Sequence, residues 1–263
     1  MKNEVKIQPT YWANVSGGKD SLYMLKLILE HPERYPLNGV IHFELEIDYP
    51  FIKNVIDYMQ VECEKRGIKF VRIKPRHSWY FLYDKNGFPT RKNRWCNSQY
   101  KLDALKQLEN YMKAQNRYVV SYIGYCADET QRIEKHKNKK PNDIYPLAEF
   151  NIIEADILKW AKNVEIFDDF YKVNTRCGCM YCSLASYTNL AYLAYKYPHK
   201  FDELMRMCYD SEFKVGKILG RQFSIWQSNP KYNTPYVYNQ IMRKYLPKVK
   251  RMIEGGNDDN NNT

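Results

Sequence analysis

The feature that most constrains this chain is Ser16-Gly17-Gly18-Lys19-Asp20-Ser21. The apolar, β-prone run Tyr11-Trp12-Ala13-Asn14-Val15 precedes it, and a run with Leu22, Leu25 and Leu29 on one helical face follows it. A strand, a glycine turn and a helix start, in that order, make a phosphate cradle. Glycine accepts positive φ and lets the backbone approach an anion closely. The N–H groups of a first helical turn, with the helix dipole behind them, favour negative charge. Lys19 adds a full charge, and Ser16 and Ser21 add hydroxyl donors. The plain alternative is a Gly-Gly turn that only joins a strand to a helix, and the context on both sides favours the cradle. The G-x-x-x-x-G-K-S/T loop needs more residues between its first glycine and its lysine, so this is a different device.

The rest of the first half alternates strand and helix. Val40-Ile41-His42-Phe43 predicts a second strand, and Pro50 starts a helix with Phe51, Val55 and Met59 on one face, ended by Gly67. Ile68 to Ile73 predicts a third strand stopped by Pro75, followed by a polar, aromatic loop through Asn86-Gly87-Phe88-Pro89. A helix is predicted from Ser98 to about Met112, then a fourth strand from Tyr118 to Ile123. This pattern predicts an α/β fold, a parallel twisted sheet flanked by helices, Rossmann-like, with right-handed crossovers. Ligands in such sheets sit at the carboxyl ends of the strands. The glycine loop, Glu44-Leu45-Glu46 and Gly124 to Arg132 all fall at such ends. From about Asn151 the pattern changes to helices, a cysteine cluster and tyrosine-rich helical stretches running to about Ile253. The expected division is therefore a nucleotide-binding α/β domain over 1–150, a helical region with cysteines and a basic surface over 151–254, and a disordered Gly/Asn/Asp-rich tail over 255–263.

Length and charge narrow the class. The chain has 263 residues, enough for one large core or a core with an appendage. No apolar run approaches membrane-spanning length, and Met1-Lys2-Asn3-Glu4-Val5 carries no signal-peptide core. The expectation is a cytoplasmic protein without membrane partners, its seven cysteines reduced or metal-bound. The net charge of +11 favours a polyanionic partner.

The glycine string resembles the S-G-G-x-D-S loop of the PP-loop ATP pyrophosphatase superfamily at every fixed position. Those enzymes have an adenine nucleotide alpha hydrolase-like fold and cleave ATP between its α and β phosphates. The resemblance implies that backbone amides of Gly17, Gly18 and Lys19 hold the pyrophosphate, that Ser16 and Ser21 belong to the same nucleotide-binding loop, and that Asp20 helps place Mg²⁺ or the adjacent donors. Gly124-Tyr125-Cys126-Ala127-Asp128-Glu129-Thr130-Gln131-Arg132 resembles the G-x-x-A-D-E-S-x-R segment of the superfamily's phosphoadenosine phosphosulfate (PAPS) reductase-like branch. There Asp128 and Glu129 would bind Mg²⁺ or ribose, and Arg132 would pair with a phosphate through its fixed fork. An acidic helix N-terminus favoured by the dipole is the plainer reading of that segment. The stretch from Phe43 to Pro50 matches the branch's segment at Glu46 and Pro50 but lacks its Thr-Gly pair. Arg94-Trp95-Cys96-Asn97-Ser98-Gln99-Tyr100-Lys101 resembles R-W-C-T-x-x-L-K, with Arg94 and Lys101 on nucleotide phosphates or substrate. Tyr145-Pro146-Leu147 and the helix from Ile153 to Trp160 match the branch more loosely. The resemblance covers roughly residues 8–185.

Arg176-Cys177-Gly178-Cys179-Met180-Tyr181-Cys182 holds three thiols within six positions, and Cys96 supplies a fourth. Four thiolates suit a [4Fe-4S] cluster or a Cys₄ zinc site. The pairing of such an element with an upstream R-x-C thiol resembles DNA phosphorothioation sulfurtransferases and their phage relatives, which implies an iron–sulfur cluster beside the nucleotide. Cys63 and Cys208 read as buried small hydrophobes, and Cys126 as a candidate persulfide carrier. His42 reads as a core histidine. Lys135 to Lys140, and Lys214, Lys217, Arg221, Lys231, Arg243, Lys244, Lys248, Lys250 and Arg251 among Phe223, Trp226, Tyr232, Tyr236 and Tyr238, have the composition of a nucleic-acid surface. A solvated helical face over an aromatic core has the same composition.

Three functions follow. The first is an ATP-dependent, AMP- and pyrophosphate-forming sulfur-transfer enzyme acting on tRNA or DNA, served by a sulfur-donor protein. The second is a PAPS or APS reductase. It is disfavoured because nothing after Cys208 resembles that group's C-terminal catalytic cysteine and because Asp20 is intact. The third is a non-catalytic protein that binds nucleotide and metal.

Overall fold

The computed structural model describes residues 8–114, 117–219, 222, 224–226 and 229–255. Arg221 and Phe223 of the basic, aromatic surface, and the tail from 256 onward, lie outside the described residues. The chain divides into two compact units, one made of 1–76 with 99–168 and the other of 77–98 with 169–263.

The first unit is an α/β fold. Its strands are β1 (Gln8–Val15), β2 (Gly39–Phe43), β3 (Lys69–Ile73) and β4 (Arg117–Tyr122). They pair in the order β3-β2-β1-β4, every pair parallel. In register, Ala13 of β1 faces Val40 of β2 and Tyr122 of β4. Winding runs outward from β1 to β3 and then returns to place β4 on the other side of β1. The carboxyl ends of β1 and β4 therefore flank the topological switch point, where α/β sheets bind ligands.

Helices α1 (Lys19–Glu30) and α2 (Pro50–Glu64) make the first two crossovers. Pro50 opens α2 at the position where its missing N–H costs nothing. Phe51, Val55 and Met59 are buried as their spacing predicts. Helix α3 (Trp79–Asn86) belongs to the second unit, and the predicted loop through Pro89 begins where Gly87, at φ +72°, ends it. A π-helical turn over Cys96–Lys101 leads into α4 (Leu102–Ala114), whose Leu108 and Met112 pack with Trp12 and Ile41 of the sheet. Gly39 lies beneath the Trp12 ring, and a Cβ there would stand 2.3 Å from Trp12 Cζ3. Helices α5 (Thr130–Lys137), α6 (Pro146–Glu149) and α7 (Glu154–Ala161) follow β4. His42 is buried with Nδ1 3.0 Å from the Val15 carbonyl, and burial lowers its pKa, so it is the satisfied core histidine its position predicts.

The second unit is helical. It contains α3 with α8 (Phe170–Val173), α9 (Tyr187–Lys196), α10 (Pro198–Leu219), α11 (Thr234–Gln240) and α12 (Leu246–Glu254). Ser186 and Asn189 form a reciprocal capping box at the start of α9. Trp79 is the hub of the unit's aromatic core, with ring contacts to Tyr83, Phe88, Trp95 and Tyr181 at 5.4–5.9 Å. Among the described residues no helix is long and apolar enough to cross a membrane.

Candidate functional site

The turn between β1 and α1 has the backbone its glycines allow. Gly17 sits at φ +76°, and a Cβ on it would stand 2.7 Å from Ile52 Cγ2. Gly18 is the N-cap of α1 and brings no side chain to seal the first-turn N–H groups. The two serines knit the turn itself. Ser21 Oγ donates to the Gly18 carbonyl at 2.9 Å and accepts from the Ser16 N–H at 3.2 Å. Gly124, just after β4, presses on the first turn of α1, where a Cβ would stand 3.2 Å from the Asp20 carbonyl oxygen. The Gly18 N–H lies 3.4 Å from Ser16 Oγ, and the turn stands at the switch point with a second backbone close against it.

Lys19 departs from the sequence expectation. Its side chain is 1% exposed, and its ammonium lies 2.7 Å from Asp20 Oδ1 and 3.4 Å from Glu154 Oε1. The charge faces carboxylates inside the fold instead of projecting from the turn. Burial raises the Asp20 pKa, Lys19 opposes that rise, and Glu154 and Glu129 add to it. Glu154 was missed by sequence reasoning, because its only local signal is its place at the start of a helix. Its backbone N–H donates to Asp128 Oδ1 at 3.2 Å. Asp20, Asp128 and Glu154 are thereby linked.

Glu129 is also engaged. Its carboxylate accepts from the Cys126 N–H at 3.1 Å and from Arg132 Nη1 at 2.7 Å. The Arg132 guanidinium lies 4.2 Å from the Tyr125 ring centroid. After β2, the exposed Glu46 donates its backbone N–H to the Tyr100 hydroxyl at 3.0 Å. Burial pushes the nearby Asp48 carboxyl up to about 7, against the pull of Lys101. Tyr100 and Lys101 therefore tie the segment after β2 to the π-helical turn. Arg94 is exposed and belongs to the second unit.

Cys126 is buried, with Sγ 3.9 Å from Asp20 Oδ1. Burial, with Asp20 and Glu129 nearby, pushes its thiol up to about 12. Such burial disfavours the thiolate that a persulfide carrier would present. At pH 8, iodoacetamide is expected to leave Cys126 unmodified in the native protein and to label it after denaturation, as read by peptide mass spectrometry. Rapid native labelling would contradict this placement.

The four cysteines named for metal, Cys96, Cys177, Cys179 and Cys182, all belong to the second unit. Cys179 is buried, while Cys96, Cys177 and Cys182 are half-buried. Their neighbours Trp95 and Tyr181 both pack on Trp79, at 5.7 and 5.4 Å between ring centroids. Tyr181 also donates to Glu203 at 2.5 Å, and Tyr80 donates to the same carboxylate at 2.9 Å. One aromatic post thus anchors both cysteine-bearing segments. Among the described residues no three His, Cys, Asp or Glu side chains converge as metal ligands. The four-thiol donor set has the chemistry for iron–sulfur or zinc. Cys63 and Cys208 are fully buried, as expected.

No family model matches the chain. An uncharacterized protein of Methanocaldococcus jannaschii is 28% identical over 233 residues, covering 82% of this chain and 51% of that protein. The chain thus spans about half the length of the curated relative it matches. Among solved structures, a U34-tRNA thiolase NcsA from Methanococcus maripaludis with its [4Fe-4S] cluster aligns with a TM-score of 0.41 and 16% identity, covering 95% of this chain and 74% of that one.

Proposed function

We propose that this chain is an ATP-dependent sulfur-transfer enzyme of the PP-loop, PAPS-reductase-like type that splits ATP to AMP and pyrophosphate to activate a nucleic-acid acceptor. The observation that carries the reading is the turn at the switch point: Gly17 at positive φ, Gly18 as a bare N-cap, and Gly124 closing from β4. An acceptor oxygen attacks the α-phosphorus, the bond to the β-phosphate oxygen breaks, and pyrophosphate leaves. Sulfur from a donor protein then displaces AMP together with the former acceptor oxygen. Backbone N–H groups of Gly17, Gly18 and Lys19 meet the charge that develops on the leaving pyrophosphate. Asp20 and Asp128 would help hold Mg²⁺, which would supply the positive charge such an acidic site needs. Lys19 acts from inside the fold, opposing the burial that raises the Asp20 pKa and linking Asp20 to Glu154. Arg132 and Glu129 act as a pair at the nucleotide, and Glu46, Arg94 and Lys101 serve nucleotide or substrate. Cys96, Cys177, Cys179 and Cys182 would hold the iron–sulfur cluster, or zinc, which when bound offers sulfur a soft Lewis-acid partner.

Cys208, read from the sequence as a buried small hydrophobe, is fully enclosed with its thiol held well above the ordinary range by burial, which counts further against the reductase reading. The test is nucleotide choice. ATP with Mg²⁺ is expected to be turned over and PAPS is not, and Lys19→Ala, which leaves Asp20 and Glu154 without their shared cation, is expected to lower pyrophosphate release while the cysteine-bound metal stays. Turnover of PAPS with release of sulfite, or full activity in Lys19→Ala, would overturn the proposal.

A further inference from the structure

The three segments from Thr234 to Glu254 form one continuous helical run, α11, a π-helical turn over Ile241–Tyr245, and α12. A π-helical turn takes up one residue more than an α-helical turn, so it sets back every later residue by one position, about 100°. Ile241 and Val249 are both buried. In an uninterrupted α-helix their separation would place them about 80° apart, whereas with one residue absorbed they fall within about 20°. The π turn is therefore what keeps the buried face of α12 in line with that of α11.

The same set-back gathers charge on the opposite face. Arg243, Lys244, Lys248 and Arg251 are all exposed. With the π turn they fall within about a quarter of the helix circumference, opposite the line from Ile241 to Val249. Without it, Lys248 would lie within about 20° of Ile241, on the buried side. Glu254 is the single acidic residue from 241 to 254, and its carboxylate accepts from the Tyr195 hydroxyl at 2.9 Å. Lys250 flanks the stripe, 5.9 Å from the Tyr195 ring.

We propose that this face of the C-terminal helix binds the phosphodiester backbone of a nucleic acid through Arg243, Lys244, Lys248 and Arg251, the π-helical turn aligning them. The stripe is about 12 Å long, at 1.5 Å of rise per residue, which suits a few successive phosphates. Its charge complements a polyanion, and Val249 of α12 is buried in the fold and so is not offered to a bilayer. The inference rests on the functional reading above only in taking the bound nucleic acid to be the acceptor.

The test compares the full chain with a variant carrying Arg243→Gln, Lys244→Gln, Lys248→Gln and Arg251→Gln. Binding is read by fluorescence anisotropy with labelled single-stranded RNA, single-stranded DNA and duplex DNA over a salt series. Each lost phosphate contact lowers the slope of log affinity against log salt by about 0.7 to 0.9, so the variant's slope is expected to fall by about 3. A fall confined to RNA or to DNA identifies the source of the phosphodiester. Unchanged slope and affinity for all three probes would overturn the inference. So would a loss of binding to phosphatidylserine vesicles, measured alongside, with no change for the three nucleic-acid probes. ATP binding by the same variant separates the two proposals. Retained ATP binding with a lower slope supports both, and a lower slope in a protein that never binds ATP supports the stripe alone. These side chains are exposed, so near-UV circular dichroism of the variant is expected to match the parent.

Discussion

Gly17→Ala is expected to lower ATP-dependent pyrophosphate release by two orders of magnitude or more while leaving unchanged the metal proposed for the four cysteines. The substitution meets two obstacles at one atom. A residue with a Cβ pays roughly 1–2 kcal/mol to occupy the left-handed region, and Gly17 sits there at φ +76°. The new methyl would also stand 2.7 Å from Ile52 Cγ2, on the buried first turn of α2. Relief requires either Ile52 or the turn to move, and the turn is the smaller element. Once the turn moves, the N–H groups of Gly18 and Lys19 no longer point where a leaving pyrophosphate gathers charge. Losing such donors costs about 10² to 10³ in rate. Ile52→Ala in the same background removes the clash but not the backbone strain, so it is expected to restore part of the activity. Pyrophosphate release measured for Gly17→Ala, Ile52→Ala and the double variant tests both terms. Wild-type release by Gly17→Ala would show that the turn does not hold the phosphates.

Cys179→Ser is expected to do the reverse: iron and acid-labile sulfide fall to near zero, while pyrophosphate release persists. Cys179 is the buried member of its loop, followed by the buried Met180 and Tyr181. Tyr181 is fixed by Trp79 and Glu203, so this part of the loop is the part the fold holds. A serine hydroxyl is a harder ligand than a thiolate and does not ionise near neutral pH, so it cannot replace the thiolate toward a soft metal. Metal and sulfide analysis of protein purified without oxygen reads the result. Zinc without sulfide in the parent protein would make the cysteines a structural clasp. Equal loss of metal and of pyrophosphate release in Cys179→Ser would contradict the division of labour between the two units.

The turn at Gly17 and Gly18 was legible because its requirements are local. Two adjacent glycines between a β-prone run and an amphipathic run admit few other backbones, and the strand–helix alternation that follows specifies a parallel sheet. His42, Cys63 and Cys208 were also legible, since an apolar neighbourhood within an element predicts burial. The direction of Lys19 was not. It depends on Glu154, which lies far along the chain, and a sequence pattern shows the charge of a lysine but not which way it turns. Cys126 shares that limit, because its enclosure comes from α1 packing against the segment after β4. The grouping of residues 77–98 with the helical unit was hidden too, since it rests on Trp79 gathering partners from separate segments. Both π-helical turns escaped the reading, because one extra residue interrupts the 3.6-residue period and leaves no period of its own.

In the proposed reaction the β1–α1 turn holds the pyrophosphate of ATP during cleavage at the α-phosphorus. The most direct measurement is ³¹P NMR of the products formed from ATP and Mg²⁺ by the full chain in the presence of nucleic acid. The account predicts AMP and pyrophosphate in equal amounts, both lost in Gly17→Ala. ADP with inorganic phosphate, or ATP bound and left intact, would contradict it.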